Sequence, residues 1–227
     1  MKPWRELARA RADGGGVLSL HRRDDEVVVR VDGQELMSTR RHGSEDRLAE
    51  VGCAGLVAPR VLIGGLGLGF TLRATLALLD GAEADAGAGA GTVVVAEISP
   101  ELVAWNRTLV GAGAAAALAD PRVEIRVGDV ADAMATPGRF DVILLDVDNS
   151  PHALTRPGNQ VLYGTRGLAT ARAALGPGGR LAVWSASRHP DFERRLGAAG
   201  FAVEVHGARA SGGRGSSHTI YLGRKPA

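Results

Sequence analysis

The sequence predicts a doubly wound α/β fold carrying a small N-terminal antiparallel β appendage, and three observations carry that reading. The apolar run Arg60-Val61-Leu62-Ile63-Gly64 breaks into alternating glycines, Gly65, Gly67 and Gly69, and then into the helix-like stretch Thr71 to Leu79. Three further apolar segments, 92–96, 122–127 and 140–145, each run into an acid: Glu97, Asp129 after Gly128, and Asp146. Residues 17–38 instead alternate apolar and polar positions between the turn signals Asp24-Asp25 and Asp32-Gly33, the pattern of a short meander.

The glycine stretch is the centre of the chain. A buried strand, a glycine turn and a helix fit it, because glycine accepts positive φ and lets a ligand approach the backbone. Its spacing departs from the dinucleotide fingerprint, since Phe70 stands where the last glycine belongs, and Phe70-Thr71 is not the Lys-Ser/Thr pair of a phosphate loop. What remains is a loop lying against a nucleoside without cradling a phosphate, as adenosylmethionine-type cofactors require, or a tight turn with no ligand.

In chain order, residues 4–12 are expected to form one short helix stopped by Gly14-Gly15-Gly16, and the meander follows. The appendage spans 1–43 and the cofactor-binding catalytic domain 44–227. Ser44 is the expected N-cap of a helix over 45–51, with Glu45 and Asp46 in the first turn where the helix dipole favours acids. After the glycine loop and its helix, 81–91 is almost entirely Gly, Ala and acid and reads as a flexible connection. The strand 92–96 ends in Glu97-Ile98, and Ser99-Pro100 supplies an N-cap and first residue for the next helix. An acid at this strand end can accept both hydroxyls of a ribose, which makes Glu97, with its neighbour Ile98, a cofactor residue. Asp129-Val130 and Asp146 end two further strands on the same crevice; Asp129 would take an adenine amine, with a plain helix cap as its alternative. The C-terminal part adds a strand over 179–185, a helix over 190–199, and an antiparallel pair over 201–205 and 218–222 joined by a flexible link over 211–217. Trp184 is a core aromatic or a pocket wall, and His189 and His218 are surface or strand histidines.

Composition narrows the classes. The 227 residues with 45% hydrophobic content suit one domain with a small appendage. The absence of a long apolar run and the charged N-terminus predict no membrane span and a cytoplasmic protein. A net charge of +2 with dispersed basic residues argues against a nucleic-acid partner. Cys53, the single cysteine, excludes an internal disulfide, and no His/Cys/Asp spacing supports a metal.

These residues resemble a family. The glycine loop, Glu97-Ile98-Ser99-Pro100, Gly128-Asp129, Asp141-Val142-Ile143-Leu144-Leu145-Asp146, Leu162-Tyr163-Gly164-Thr165 and Leu175-Gly176-Pro177-Gly178-Gly179 are similar to the Rossmann-like class I adenosylmethionine-dependent methyltransferase fold, in its spermidine synthase branch, over about residues 17–185. The resemblance implies a mostly parallel seven-stranded sheet. It also implies S-adenosylmethionine or its decarboxylated form as cofactor, held by Gly65, Gly67, Gly69, Glu97, Ile98, Asp129, Val130 and Asp146. A small-molecule amine would be the acceptor, and a homodimer is left open. Asp146 resembles the family's catalytic Asp; Asp148 stands near the position of its second acid, which Asn149 occupies, and Tyr163 would orient the substrate. The family's Tyr-Gln-Glu gate has Ser44-Glu45-Asp46 as its nearest match here. Such a transferase must desolvate the amine, hold it in line with the electrophilic carbon and relieve it of a proton, which a positioned carboxylate can do. Aminopropyl transfer, methyl transfer and a non-catalytic binding module all remain open.

Overall fold

The computed structural model describes residues 2–12, 15–86, 90–147, 161–211 and 214–227. Four strands, β1 (Arg5–Arg11), β2 (Val17–Arg23), β3 (Glu26–Val31) and β4 (Gln34–Ser38), form an antiparallel sheet in sequential order. Asp32 and Gly33 both take positive φ, 49° and 80°, so the β3–β4 turn has the left-handed pair whose twist matches the flanking strands. The helix expected over 4–12 is strand β1 instead. Ala8 and Ala10 pair with Leu20 and Leu18 and alternate with the exposed Arg9 and Arg11, so the period of two half-buries the alanines. Ladder bonds to β2 outweigh the modest helix preference of Ala, Arg and Glu. Trp4 lies beneath the guanidinium groups of Arg23 and Arg30, 4.3 and 5.3 Å from its ring.

Helix α1 (Gly43–Cys53) begins one residue ahead of Ser44. His42 is the N-cap, without a side-chain cap bond, and its ring stacks on Phe70 with centroids 4.3 Å apart. Ser44 donates instead to Glu45 Oε2, at 2.6 Å. A Cβ on Gly52 would stand 2.3 Å from Leu144 Cδ2, which shows how closely α1 lies on the second sheet.

That sheet has the order β10-β11-β9-β8-β5-β6-β7. Its elements follow the chain as β5 (Arg60–Gly64), α2 (Phe70–Ala86), β6 (Thr92–Glu97), α3 (Pro100–Trp105), a π-helical turn (Asn106–Val110), α4 (Ala112–Ala119), β7 (Val123–Val127), α5 (Val130–Ala133) and β8 (Phe140–Leu145). Then come α6 (Thr165–Ala174), β9 (Leu175–Ser185), α7 (Pro190–Ala198), β10 (Ala202–Ser211) and β11 (Arg214–Arg224). Strands β7, β6, β5, β8 and β9 are parallel, and β11 and β10 close the sheet antiparallel. Their apolar runs are continuous because both faces are covered: Val61, Ile63, Val142 and Leu144 face α1 and α2, while Leu62, Ile143 and Leu145 face the side of α6 and α7.

Two expected links are shorter than their composition suggested. Helix α2 continues to Ala86, and β10 and β11 pair out to Ser211 and Arg214, so Ser216 and Ser217 are strand residues. Helices lead the chain outward from β5 to β6 and β7 and back to β8, which reverses the winding between β5 and β8. Ligands bind at such a reversal, beyond the carboxyl ends of the strands. Leu18, Leu20, Val27 and Val29 of the first sheet pack on Leu68, Phe70, Leu102 and Trp105, seating that sheet over the same place.

Candidate active site

The loop after β5 is fixed on all sides by backbone bonds. Gly65 N–H donates to Ala96 O at 2.9 Å, Gly69 N–H to Leu66 O at 2.8 Å, and Asp146 N–H to Gly64 O at 2.9 Å. Gly65 and Gly67 take φ of +90° and +53°. A Cβ on Gly65 would meet Asp146 O at 2.5 Å, so only glycine lets the loop cross the end of β8 so closely. Above Gly67 the nearest atom is Met37 Sδ of β4, at 3.3 Å from the Cβ position.

Glu97, at the end of β6, is buried beneath the loop. It is 5% exposed, and its carboxylate accepts from Leu66 N–H through Oε2 and from Ser99 N–H through Oε1, each at 2.8 Å. Burial raises its pKa, and the amides of Ser99, Leu66, Gly67 and Ile98 pull the other way. Asn106, fully buried, completes the clamp: its Nδ2 donates to Gly67 O and to Leu102 O, each at 2.8 Å. Asp129 is exposed and caps α5 by accepting from Ala131 N–H at 2.8 Å, while Val130 packs against Gly64.

A cavity of about 300 Å³ opens beneath β4 and α1. Gly67, Phe70 and Asp146 bound it on the side of the glycine loop, Glu45 lines it from α1, and Trp184 and His218 come from β9 and β11. Asp146 Oδ2 accepts from Thr71 Oγ1 at 2.7 Å. Its pKa is pushed up to about 7, first by burial and then by the charge of Glu45, against the Thr71 hydrogen bond. Burial also raises Glu45, opposed by the Ser44 hydroxyl. Two acids with upward-shifted pKa in one recess make a place for a cation and a proton acceptor working near neutral pH.

Of the residues expected at the site, Gly67 and Asp146 line the cavity; Gly65, Gly69 and Glu97 build the loop behind it; Ile98, Asp129 and Val130 sit at the ends of β6 and β7 and do not line it. Asp148 lies outside the described residues. Tyr163 is fully buried, edge-on to Phe192 with centroids 5.7 Å apart, and donates to Val147 O at 3.1 Å, so it braces the segment after Asp146 from outside the cavity. Sequence reasoning placed Glu45 in the first turn of its helix and in the nearest match to the gate segment, and did not single out Thr71, Met37 or Asn106. A buried-type position holding Asn106 amid an apolar helix was the one available signal. His218, expected as an ordinary strand histidine, is a wall of the cavity. Among the described residues no group of His, Cys, Asp and Glu could hold a metal ion.

No protein-family model matches the sequence, and no curated protein matches it. Solved structures do. A spermidine synthase in complex with the transition-state analogue AdoDATO superposes with a TM-score of 0.76 at 20% identity, covering 97% of this chain and 74% of that one. The spermidine synthase from Thermotoga maritima gives 0.74 at 19%, over 97% and 72%. The 1,6-didemethyltoxoflavin-N1-methyltransferase of Burkholderia thailandensis gives 0.55 at 18%, over 82% and 80%. The chain thus has the fold of the class I adenosylmethionine-dependent methyltransferases. With its N-terminal sheet included, it has the form which that fold takes in spermidine synthases.

Proposed function

We propose that the chain is a transferase using an adenosylmethionine-type sulfonium donor, and that it transfers an aminopropyl group to a small-molecule amine. The observation that carries this reading is Asp146, held by Thr71 beside Glu45 in a cavity walled by the glycine loop. The loop fits such a donor: its glycines leave no side chain between backbone and cavity at Gly67, and a cation entering there meets two acids. Gly65, Gly67, Gly69, Glu97, Ile98, Asp129 and Val130 would hold the nucleoside, Glu97 by keeping the loop in shape. When bound, the donor supplies an electrophilic carbon next to a positive sulfur.

The chain's own groups do the rest. Glu45 and Asp146 draw an ammonium group into the cavity and separate it from bulk water. Thr71 fixes Oδ2 of Asp146 and so leaves Oδ1 to accept the amine proton. The uncharged amine is then the nucleophile, and a pKa near 7 lets Asp146 take that proton without holding it permanently. Methyl transfer to the same amine is the second reading, favoured by Ser44-Glu45-Asp46 standing where the spermidine synthase branch has its Tyr-Gln-Glu gate. Isothermal titration with decarboxylated adenosylmethionine against adenosylmethionine, followed by a panel of amines, separates the two. Tighter binding and turnover of the decarboxylated donor support aminopropyl transfer, and preference for adenosylmethionine moves the assignment to methyl transfer. Binding of neither removes the reading.

A further inference from the structure

The first sheet reaches the glycine loop by two routes, and only one of them is direct. Met37 of β4 stands over Gly67, its Sδ 3.3 Å from the Cβ position there. The other route runs through the π-helical turn. Asn106, the first residue of that turn, is fully buried and divides its Nδ2 between Leu102 O in α3 and Gly67 O in the loop, each at 2.8 Å. Both acceptors are carbonyls, so the amide meets them with its nitrogen and leaves Oδ1 buried without a partner. An orphaned acceptor costs free energy, so the bond to Gly67 O depends on the turn being held in place.

What holds it lies at its other end. Arg22 of β2 donates through Nη2 to Leu109 O and to Val110 O, the latter at 3.4 Å. The last carbonyls of a helical segment lack partners further along the chain, and a cation suits the negative end of the helix dipole. Gly111 stops the turn directly after Val110. The side chains of Leu109 and Val110 pack against the cluster that contains Leu18 and Leu20 of β2 together with Leu68 and Phe70 beside the loop. A single π turn is uncommon and concentrates at functional sites, and here one end of it touches the loop while the other is capped from a different sheet.

The structure assigns Arg22 as a positioning residue of the donor site: it caps the π-helical turn and so sets Asn106, which in turn sets Gly67. This assignment rests on reading the glycine loop as the donor site, and it adds a residue that stands outside the lining of the cavity.

The test uses the full chain and three variants. Arg22→Met keeps the stem and removes the donors, Arg22→Lys keeps the charge on a single point donor, and Asn106→Ala removes both Nδ2 bonds. Two quantities are read: methylthioadenosine affinity by calorimetric titration, and amide hydrogen exchange at Gly65, Leu66 and Gly69 in the ligand-free chain, with Leu62 and Ile63 of β5 reporting global opening. In Arg22→Met the loop amides should exchange about tenfold faster relative to β5, and methylthioadenosine should bind about tenfold more weakly, as the loss of one charge-assisted hydrogen bond gives. Arg22→Lys should recover part of both, to a loss of about threefold, and it carries the test if Arg22→Met does not fold. Because the two residues act in series, Arg22→Met combined with Asn106→Ala should be no worse than Asn106→Ala alone. An Arg22 that only ties two layers together speeds exchange in the loop and in β5 alike, or adds its effect in full to that of Asn106→Ala; either result overturns the assignment. If methylthioadenosine fails to bind the wild type, the donor reading falls, and exchange in the ligand-free chain still decides whether Arg22 positions the loop.

Discussion

The ends of β6 and β8 each place a carboxylate beside the glycine loop, and burial raises both pKa values, yet the two acids are built for different work. Glu97 has each oxygen occupied by a backbone N–H, from Leu66 and from Ser99, and it does not line the cavity. Asp146 has one hydroxyl, from Thr71, and faces a second acid across a cavity it lines. A saturated buried carboxylate is a structural strut. An under-satisfied one opposite a like charge is poised to exchange a proton, and this distinction depends on hydrogen-bond supply more than on depth.

The largest way to break the comparison is at Asp146. Asp146→Asn should retain methylthioadenosine affinity and lose about two to four orders of magnitude in turnover with the identified acceptor amine, the cost of removing a positioned base. Near-normal turnover would place the proton acceptor elsewhere. Glu97→Ala should behave in the opposite sense, because it orphans the buried amides of Leu66 and Ser99. We expect it to destabilise the chain by roughly 2–4 kcal/mol in urea unfolding, at about 1–2 kcal/mol per amide, and to weaken donor binding along with the loop. A stable variant with intact nucleoside affinity would deny the strut role.

Glu45→Gln removes one of the two causes that raise Asp146. The acid limb of the pH–rate profile should move below about pH 7 in this variant, with the wild-type limb near 7. Stability carries the matching sign. The folded pKa of Asp146 lies above its ordinary 3.8, so the folded chain holds this proton more tightly. The resulting stabilisation is full below about pH 3.8 and is lost as the pH rises through about 7; Asp146→Asn should flatten that dependence. The smallest effect is expected at Tyr163→Phe, which removes the hydroxyl that donates to Val147 O. It should cost about 1 kcal/mol in stability and leave donor affinity alone. A loss of donor affinity there would bring Tyr163 into the site after all.

The doubly wound sheet was legible because its evidence is local: Val61 to Ile63, Val93 to Val95 and Val142 to Leu145 are apolar on every position, as strands covered on both faces must be, and each runs into a Gly or an acid at the ligand edge. The first sheet was legible only from Val17 onward. In β1 the small alanines gave a weak alternation, and the propensity of Leu7, Ala8 and Arg9 for helix concealed a strand that exists by pairing with β2. At the site, Asp146 and Gly67 were readable from strand-end position. Glu45 was readable only as a first-turn acid and as part of the nearest match to a gate segment; its place beside Asp146 comes from α1 lying across β8 at Gly52, a packing that no spacing encodes. Trp184 was readable as core aromatic or pocket wall, whereas His218 was hidden, since it is the antiparallel pairing of β11 with β9 that brings the two rings together.

The central claim, that Asp146 is the under-satisfied acid of the pair, is tested most directly without any substrate. Carbon-13 NMR titration of the Asp146 side-chain carboxyl, assigned by its loss in Asp146→Asn, should show a midpoint near 7 that falls in Glu45→Gln. A midpoint close to the ordinary 3.8, unmoved by the Glu45 substitution, would contradict the account.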